Sequence, residues 1–139
     1  MEPWQMRILI IDDEKDLTEL LKVRLEVLGY VVSIAHAGKI GLAKARTEKP
    51  DLILLDVMLP DLDGYSTLRE LRKEEETKDI PVIMLTAKEE DKIGDLFYLQ
   101  KISGFVQKPF EEKELLYKIK IALAKPRKRT TNGKDNNNG

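Results

Sequence analysis

The run Asp51-Leu52-Ile53-Leu54-Leu55-Asp56-Val57-Met58-Leu59-Pro60 constrains the fold of this chain more than any other stretch. Its four consecutive aliphatic residues are too few for a helix core and predict a strand buried on both faces. The run ends in a carboxylate, Asp56, and Pro60 forbids further sheet pairing soon afterwards. Open α/β sheets place their ligands at the C-terminal tips of buried parallel strands, so Asp56 is the first candidate for chemistry.

The remaining stretches fall into line with that strand. Arg7-Ile8-Leu9-Ile10-Ile11 is a second short apolar run followed by acids, Asp12, Asp13 and Glu14. From Leu17 to Leu28 the period becomes helical, with Leu17, Leu20, Leu21, Leu25 and Leu28 expected on one face and Gly29 as a left-handed cap. Tyr30 to Ala35 predicts a strand, and Gly38 to Thr47 a weaker helix carrying Ile40, Leu42, Ala43 and Ala45. Asp61-Leu62-Asp63-Gly64 is loop chemistry, and Tyr65 to Glu74 predicts a helix with Leu68 and Leu71 inward. Pro81 to Leu85, ending at Thr86, and Gly104 to Val106 predict two more strands. Glu89 to about Ile102 and Glu111 to Ala124 predict helices, the latter burying Leu115, Leu116, Ile119, Ala122 and Leu123.

Strands and helices thus alternate five times, the pattern of a parallel sheet covered on both faces. Right-handed crossovers leave few topologies. The expectation is an α/β fold: a doubly wound five-stranded parallel sheet, order 2-1-3-4-5, flavodoxin-like (βα)5.

Composition sets the remaining bounds. With 139 residues the chain can hold one domain with a real core, but not two. There is no Cys, so no disulfide, thiolate metal site or thiol nucleophile is available. No apolar run approaches membrane-spanning length and Met1-Glu2-Pro3-Trp4 lacks a signal pattern, so the expectation is a cytoplasmic protein with no membrane partner.

Residues 125–139 hold five basic side chains and one acid; taking these from 24 basic and 25 acidic leaves 19 and 24 in residues 1–124, a net of −5. An acidic body argues against direct nucleic acid binding by the domain itself. The expected division is an extension over 1–6, the domain over 7–124, and a basic, polar tail over 125–139, disordered by composition.

In a parallel sheet the C-terminal tips share one edge. They bring Asp12 and Asp13, Asp56, Thr86 and Lys108 toward a common crevice. Two carboxylates ~5 Å apart repel by about 3 kcal/mol at an effective dielectric of ~20, so three need a counter-charge. A hard dication removes that cost, and Mg²⁺ favours one or two carboxylates, waters and a phosphate oxygen. Lys108 can serve as a point donor to a phosphoryl oxygen and Thr86 can donate a hydroxyl hydrogen bond. Such a constellation suits a phosphoryl group on Asp56.

Ile8-Leu9-Ile10-Ile11-Asp12-Asp13-Glu14, Asp51 to Pro60, Met84-Leu85-Thr86-Ala87 and Val106-Gln107-Lys108-Pro109-Phe110 together resemble the receiver domain of two-component response regulators, CheY-like proteins. The match runs from about Arg7 to Leu123, with all motifs in order. The resemblance implies a phosphoprotein switch rather than an enzyme: Asp56 takes a phosphoryl group from the phosphohistidine of a sensor histidine kinase, forming an aspartyl phosphate. It implies a magnesium site of Asp12, Asp13, Asp56 and the Met58 backbone carbonyl, with Thr86 and Lys108 on the phosphoryl oxygens and a cis Lys108-Pro109 bond. It also implies a switch pair of Thr86 and Phe105, read by a downstream protein or an effector domain missing from this chain, and allows a phosphorylation-dependent dimer. The stretch Tyr98 to Gly104 departs from the family's small turn with acids, so the family's output contacts are not carried over there.

Two other functions compete. A metal-dependent phosphohydrolase with Asp56 as nucleophile would want an acid two residues on, where Met58 stands. A receiver-like binding module that is never phosphorylated would have no need of the full residue set. Nucleotide binding lacks both Gly-rich motifs. His36, the only His, is expected in a surface loop, and Asp61 and Asp63 as loop acids rather than ligands. Phe97-Tyr98-Leu99 divides evenly between core packing and a partner patch, and Arg127-Lys128-Arg129 reads as a solvated tail.

Overall fold

A computed structural model of the chain describes residues 4–87 and 102–124. The elements are β1 (Arg7–Ile11), α1 (Lys15–Val27), β2 (Val31–Ala35), α2 (Gly38–Glu48), β3 (Leu52–Asp56), α3 (Gly64–Lys73), β4 (Val82–Thr86), β5 (Gly104–Gln107) and, as the fourth helix among the described residues, α4 (Glu112–Ala124). All strands pair in parallel, in the order β2-β1-β3-β4-β5. The doubly wound flavodoxin-like topology expected from the alternating pattern is therefore the one the chain adopts. The helix expected over Glu89 to about Ile102, Phe97-Tyr98-Leu99 and the basic tail lie outside the described residues.

The continuous apolar runs are explained by two cores, one on each face of the sheet. Successive strand side chains point to opposite faces. Leu9, Ile11, Ile53, Leu55, Val82 and Met84 meet Leu42 and Ala45 of α2 and Leu68 and Leu71 of α3. Ile8, Ile10, Leu52, Leu54, Ile83 and Leu85 meet Leu21 and Leu25 of α1 and Leu115, Ile119 and Ala122 of α4. Each Leu or Ile so buried contributes about 1.5–3 kcal/mol, so no strand position could turn polar without loss until the tip is reached.

The helices begin and end for local reasons. Gly29 takes φ +99° just beyond α1, the left-handed conformation that side chains resist, and its N–H bonds back to the Glu26 carbonyl. α1 starts two residues earlier than its leucine spacing suggests, and the sheet takes only part of that face. Leu21 and Leu25 are buried, whereas Leu20 and Leu28 are each 54% exposed. Thr18 is buried in their place, its hydroxyl satisfied by the Lys15 carbonyl at 3.0 Å. In α2, likewise, Leu42 and Ala45 are buried but Ile40 points outward.

Candidate functional site

The chain leaves β1 for β2 on one side and β3 on the other, so a crevice opens between the tips of β1 and β3. Asp12 follows β1 and is fully buried; Asp56 ends β3 and is 4% exposed. Asp13 stands beside them and faces solvent. One carboxylate oxygen from each of the three lies within 4.8 Å of the others. Asp56 pairs across the ladder with Leu85, so the buried Thr86 stands one position further along β4.

Backbone contacts hold these carboxylates in place. Glu14 N–H donates to Asp12 Oδ1 at 2.9 Å, and Asp12 N–H donates to the Ala35 carbonyl at 3.0 Å. His36 lies in the loop between β2 and α2, half-buried, its Nδ1 3.0 Å from the Asp12 carbonyl oxygen. Met58 N–H donates to Asp56 Oδ1 at 3.2 Å, which fixes the rotation of that carboxyl group, while the Met58 side chain is 64% exposed at the rim.

Lys108 enters from beyond β5, with a cis Lys108–Pro109 bond and its backbone N–H bonded to the Thr86 carbonyl. Its ammonium lies 2.7 Å from Asp12 Oδ2, 2.9 Å from Glu14 Oε1 and 3.7 Å from Asp56 Oδ2. Burial alone would lower the Lys108 pKa, but the hydrogen bonds it donates to Asp12 and Glu14 and the charges of Asp12 and Asp56 raise it. Burial pushes Asp56 the other way for an acid, up to about 6, and the Asp12 charge adds to the push. Lys108 and the Met58 N–H offset part of it, while Asp13 adds a little more.

The donor set suits a hard dication: three carboxylates within reach of one another, two of them buried and short of positive charge, and Asp13 open to solvent as an entry. Glu14, which the sequence presented only as a third acid after β1, is a partner of Lys108. The expected loop acids are loop acids. Asp61 accepts from the N–H groups of Gly38 at 2.8 Å and Lys39 at 3.1 Å, capping α2 from the loop after β3. Asp63 caps α3, accepting from Ser66 N–H at 2.8 Å.

Phe105 is half-buried on β5 against the core shared with α2 and α3. Lys118 Nζ donates to its carbonyl at 2.6 Å and lies 5.3 Å from its ring centroid. A groove of about 880 Å³ opens beside the site, between α1 and the turn after β5, lined by Leu17, Leu20, Arg24, Pro109 and Phe110.

The chain belongs to the response regulator receiver domain family, whose pattern matches residues 8–120. It is 43% identical over 139 residues to the probable transcriptional regulator ycf27 of Porphyra purpurea, covering 95% of this chain and 53% of that protein. It is 42% identical over 124 residues to the DNA-binding dual master transcriptional regulator RpaA of Synechocystis, covering 84% and 48%. The chain thus spans about half the length of the curated relatives it matches. Among solved structures it resembles the receiver domain of the sensor histidine kinase PA1611 from Pseudomonas aeruginosa, with a TM-score of 0.78, 29% identity, and 87% and 99% of the two chains covered. That receiver holds a magnesium ion in its active-site cleft.

Proposed function

We propose that Asp56 is the phosphoacceptor of this receiver domain, taking a phosphoryl group from the phosphohistidine of a sensor histidine kinase. The observation that supports the reading is the buried Asp56 carboxylate lying within 4.8 Å of those of Asp12 and Asp13 and 3.7 Å from the Lys108 ammonium. Asp12, Asp13, Asp56 and the Met58 carbonyl would hold Mg²⁺, which when bound neutralises the carboxylates and the phosphoryl oxygens.

An Asp56 oxygen attacks phosphorus as the bond from phosphorus to the imidazole nitrogen breaks. The bonding pair leaves with the imidazole, which takes up a proton from solvent, and an acyl phosphate remains on Asp56. The protein has little covalent work to do in such a loose transfer. The Met58 N–H orients the carboxyl group, Lys108 donates to one phosphoryl oxygen and the Thr86 hydroxyl to another. The groove along α1, on which Leu20 is exposed, is the surface we assign to the kinase.

Drawing Thr86 toward the phosphoryl group vacates space on β4 and β5 into which Phe105 turns. The output is then a change in affinity for a downstream protein, an effector domain or a second copy of this one. The acidic body leaves nucleic-acid contact to that effector, in keeping with relatives named as transcriptional regulators. No helix among the described residues is long and apolar enough to cross a membrane, and the reading places the domain in the cytoplasm with its kinase's catalytic part. The test is intact mass after incubation with Mg²⁺ and acetyl phosphate. One phosphoryl group gained, dependent on metal and lost in Asp56→Asn, supports the reading; a gain that persists in Asp56→Asn sinks it.

A further inference from the structure

Lys108 is held by more than the acidic pocket. Its ammonium touches Asp12 and Glu14 at 2.7 and 2.9 Å, closer than the 3.7 Å to Asp56. Asp12 and Asp56 are both candidates for the metal, and a bound cation would share their charge. Glu14 is outside the metal cluster and keeps its whole charge for Lys108. It belongs to the first residues after β1, and its side chain is 57% exposed, so it can keep the ammonium at the rim without being part of the core.

We infer that Glu14 is a positioning residue that holds Lys108 back from a phosphoryl group on Asp56. It thereby sets how strongly the phosphorylated state is stabilised. The inference rests on the phosphoacceptor reading of Asp56 and adds to it a determinant of the switch's set point. To donate fully to a phosphoryl oxygen, Lys108 must loosen one existing contact. With the metal in place, the contact to Glu14 is the one that competes. A long side chain at the surface can be tuned by substitution with no cost to packing, which suits a residue that sets a level rather than one that makes the chemistry possible.

The test uses beryllofluoride, a non-covalent stand-in for the phosphoryl group, titrated into the full chain at saturating Mg²⁺ and followed by fluorine NMR. The comparison is a four-way cycle of wild type, Glu14→Gln, Lys108→Met and the double variant, with Glu14→Asp as a fifth, charge-keeping control. Glu14→Gln is expected to tighten binding about threefold, the range of one exposed ion pair, when Lys108 is present. The same substitution in the Lys108→Met background is expected to change nothing, because its effect passes through the ammonium. Glu14→Asp, which keeps the charge, should stay near wild type.

Equal tightening in both backgrounds would mean bulk repulsion of the anion and would overturn the inference, as would unchanged or weaker binding in Glu14→Gln alone. Should Lys108→Met bind too weakly to titrate, the rate of phosphorylation by acetyl phosphate, read by intact mass, supplies the same four-way comparison. Wild type that binds Mg²⁺ but neither beryllofluoride nor a phosphoryl group would instead overturn the phosphoacceptor reading, and this inference with it.

Discussion

The Lys108 ammonium sits 3.7 Å from Asp56 Oδ2 but 2.7 Å from Asp12 Oδ2. The Asp56 carboxylate is thus the less well neutralised of the two, and burial has raised its pKa to about 6. A carboxylate left short of positive charge inside the protein is one that a bound cation can relieve.

The first prediction follows from that shift. Asp56 titrates near 3.8 when unfolded and about 6 when folded, so the folded protein binds the proton more tightly. The contribution of Asp56 to the stability of the metal-free protein is therefore fully present below the unfolded value and is lost as pH rises through the folded one. Asp56→Asn removes the charge and should be more stable than wild type by up to about 3 kcal/mol at neutral pH, with the gap closing toward about pH 4. Urea melts in EDTA at the two pH values measure it; a pH-independent gap would show that the charge is not the cause.

Asp13 is exposed and belongs to no core, so its loss should spare the fold. Asp13→Asn removes one of three clustered carboxylates and should weaken Mg²⁺ binding about tenfold or more, with an unchanged melting temperature in EDTA. Calorimetric titration decides. Equal affinity would move the metal off this cluster.

Gly64 opens α3 directly against the end of β3, where an added Cβ would overlap the Asp56 carbonyl oxygen and the Val57 backbone. Gly64→Ala should therefore destabilise the domain by about 2 kcal/mol, as overpacking against backbone does. It should also slow phosphorylation, because the strand tip must shift. Normal stability by denaturant melts would mean that α3 can slide away without consequence.

Leu20 lines the groove along α1 and is 54% exposed, so Leu20→Glu should not disturb the core. We expect transfer from a cognate kinase to fall at least about tenfold, since apolar anchors dominate such contacts, while phosphorylation by acetyl phosphate stays the same. Parallel loss with both donors would instead point to damage at the acceptor site itself.

Most of this was readable from the residues because strand tips carry their chemistry in sequence order. Asp12, Asp13, Asp56, Thr86 and Lys108 each follow an apolar run, and parallel topology alone brings them to one edge. Which leucines α1 buries was less legible. Leu17 to Leu28 offers more apolar positions than one face can hold, and only the sheet's position selects Leu21 and Leu25 over Leu20 and Leu28. The Glu14–Lys108 pair spans 94 residues, and nothing local distinguishes Glu14 from a solvated acid; the hint was three acids facing one lysine. His36 lies in the loop before α2 as expected, but its contact with the backbone of Asp12 was not legible for the same reason.

Asp61 caps α2 although it lies in the loop between β3 and α3, and its own pKa is lowered by the Lys39 N–H and, in smaller part, the Gly38 N–H that it accepts. That loop is therefore measured at both ends: the Asp56 tip of β3 on one side, and on the other a helix start 22 to 23 residues upstream. Side chains within it, such as the exposed Met58, can vary with little structural effect. An insertion or deletion of one residue would uncap a distant helix. Among descendants of such a chain, this loop should diverge in spelling while keeping its length.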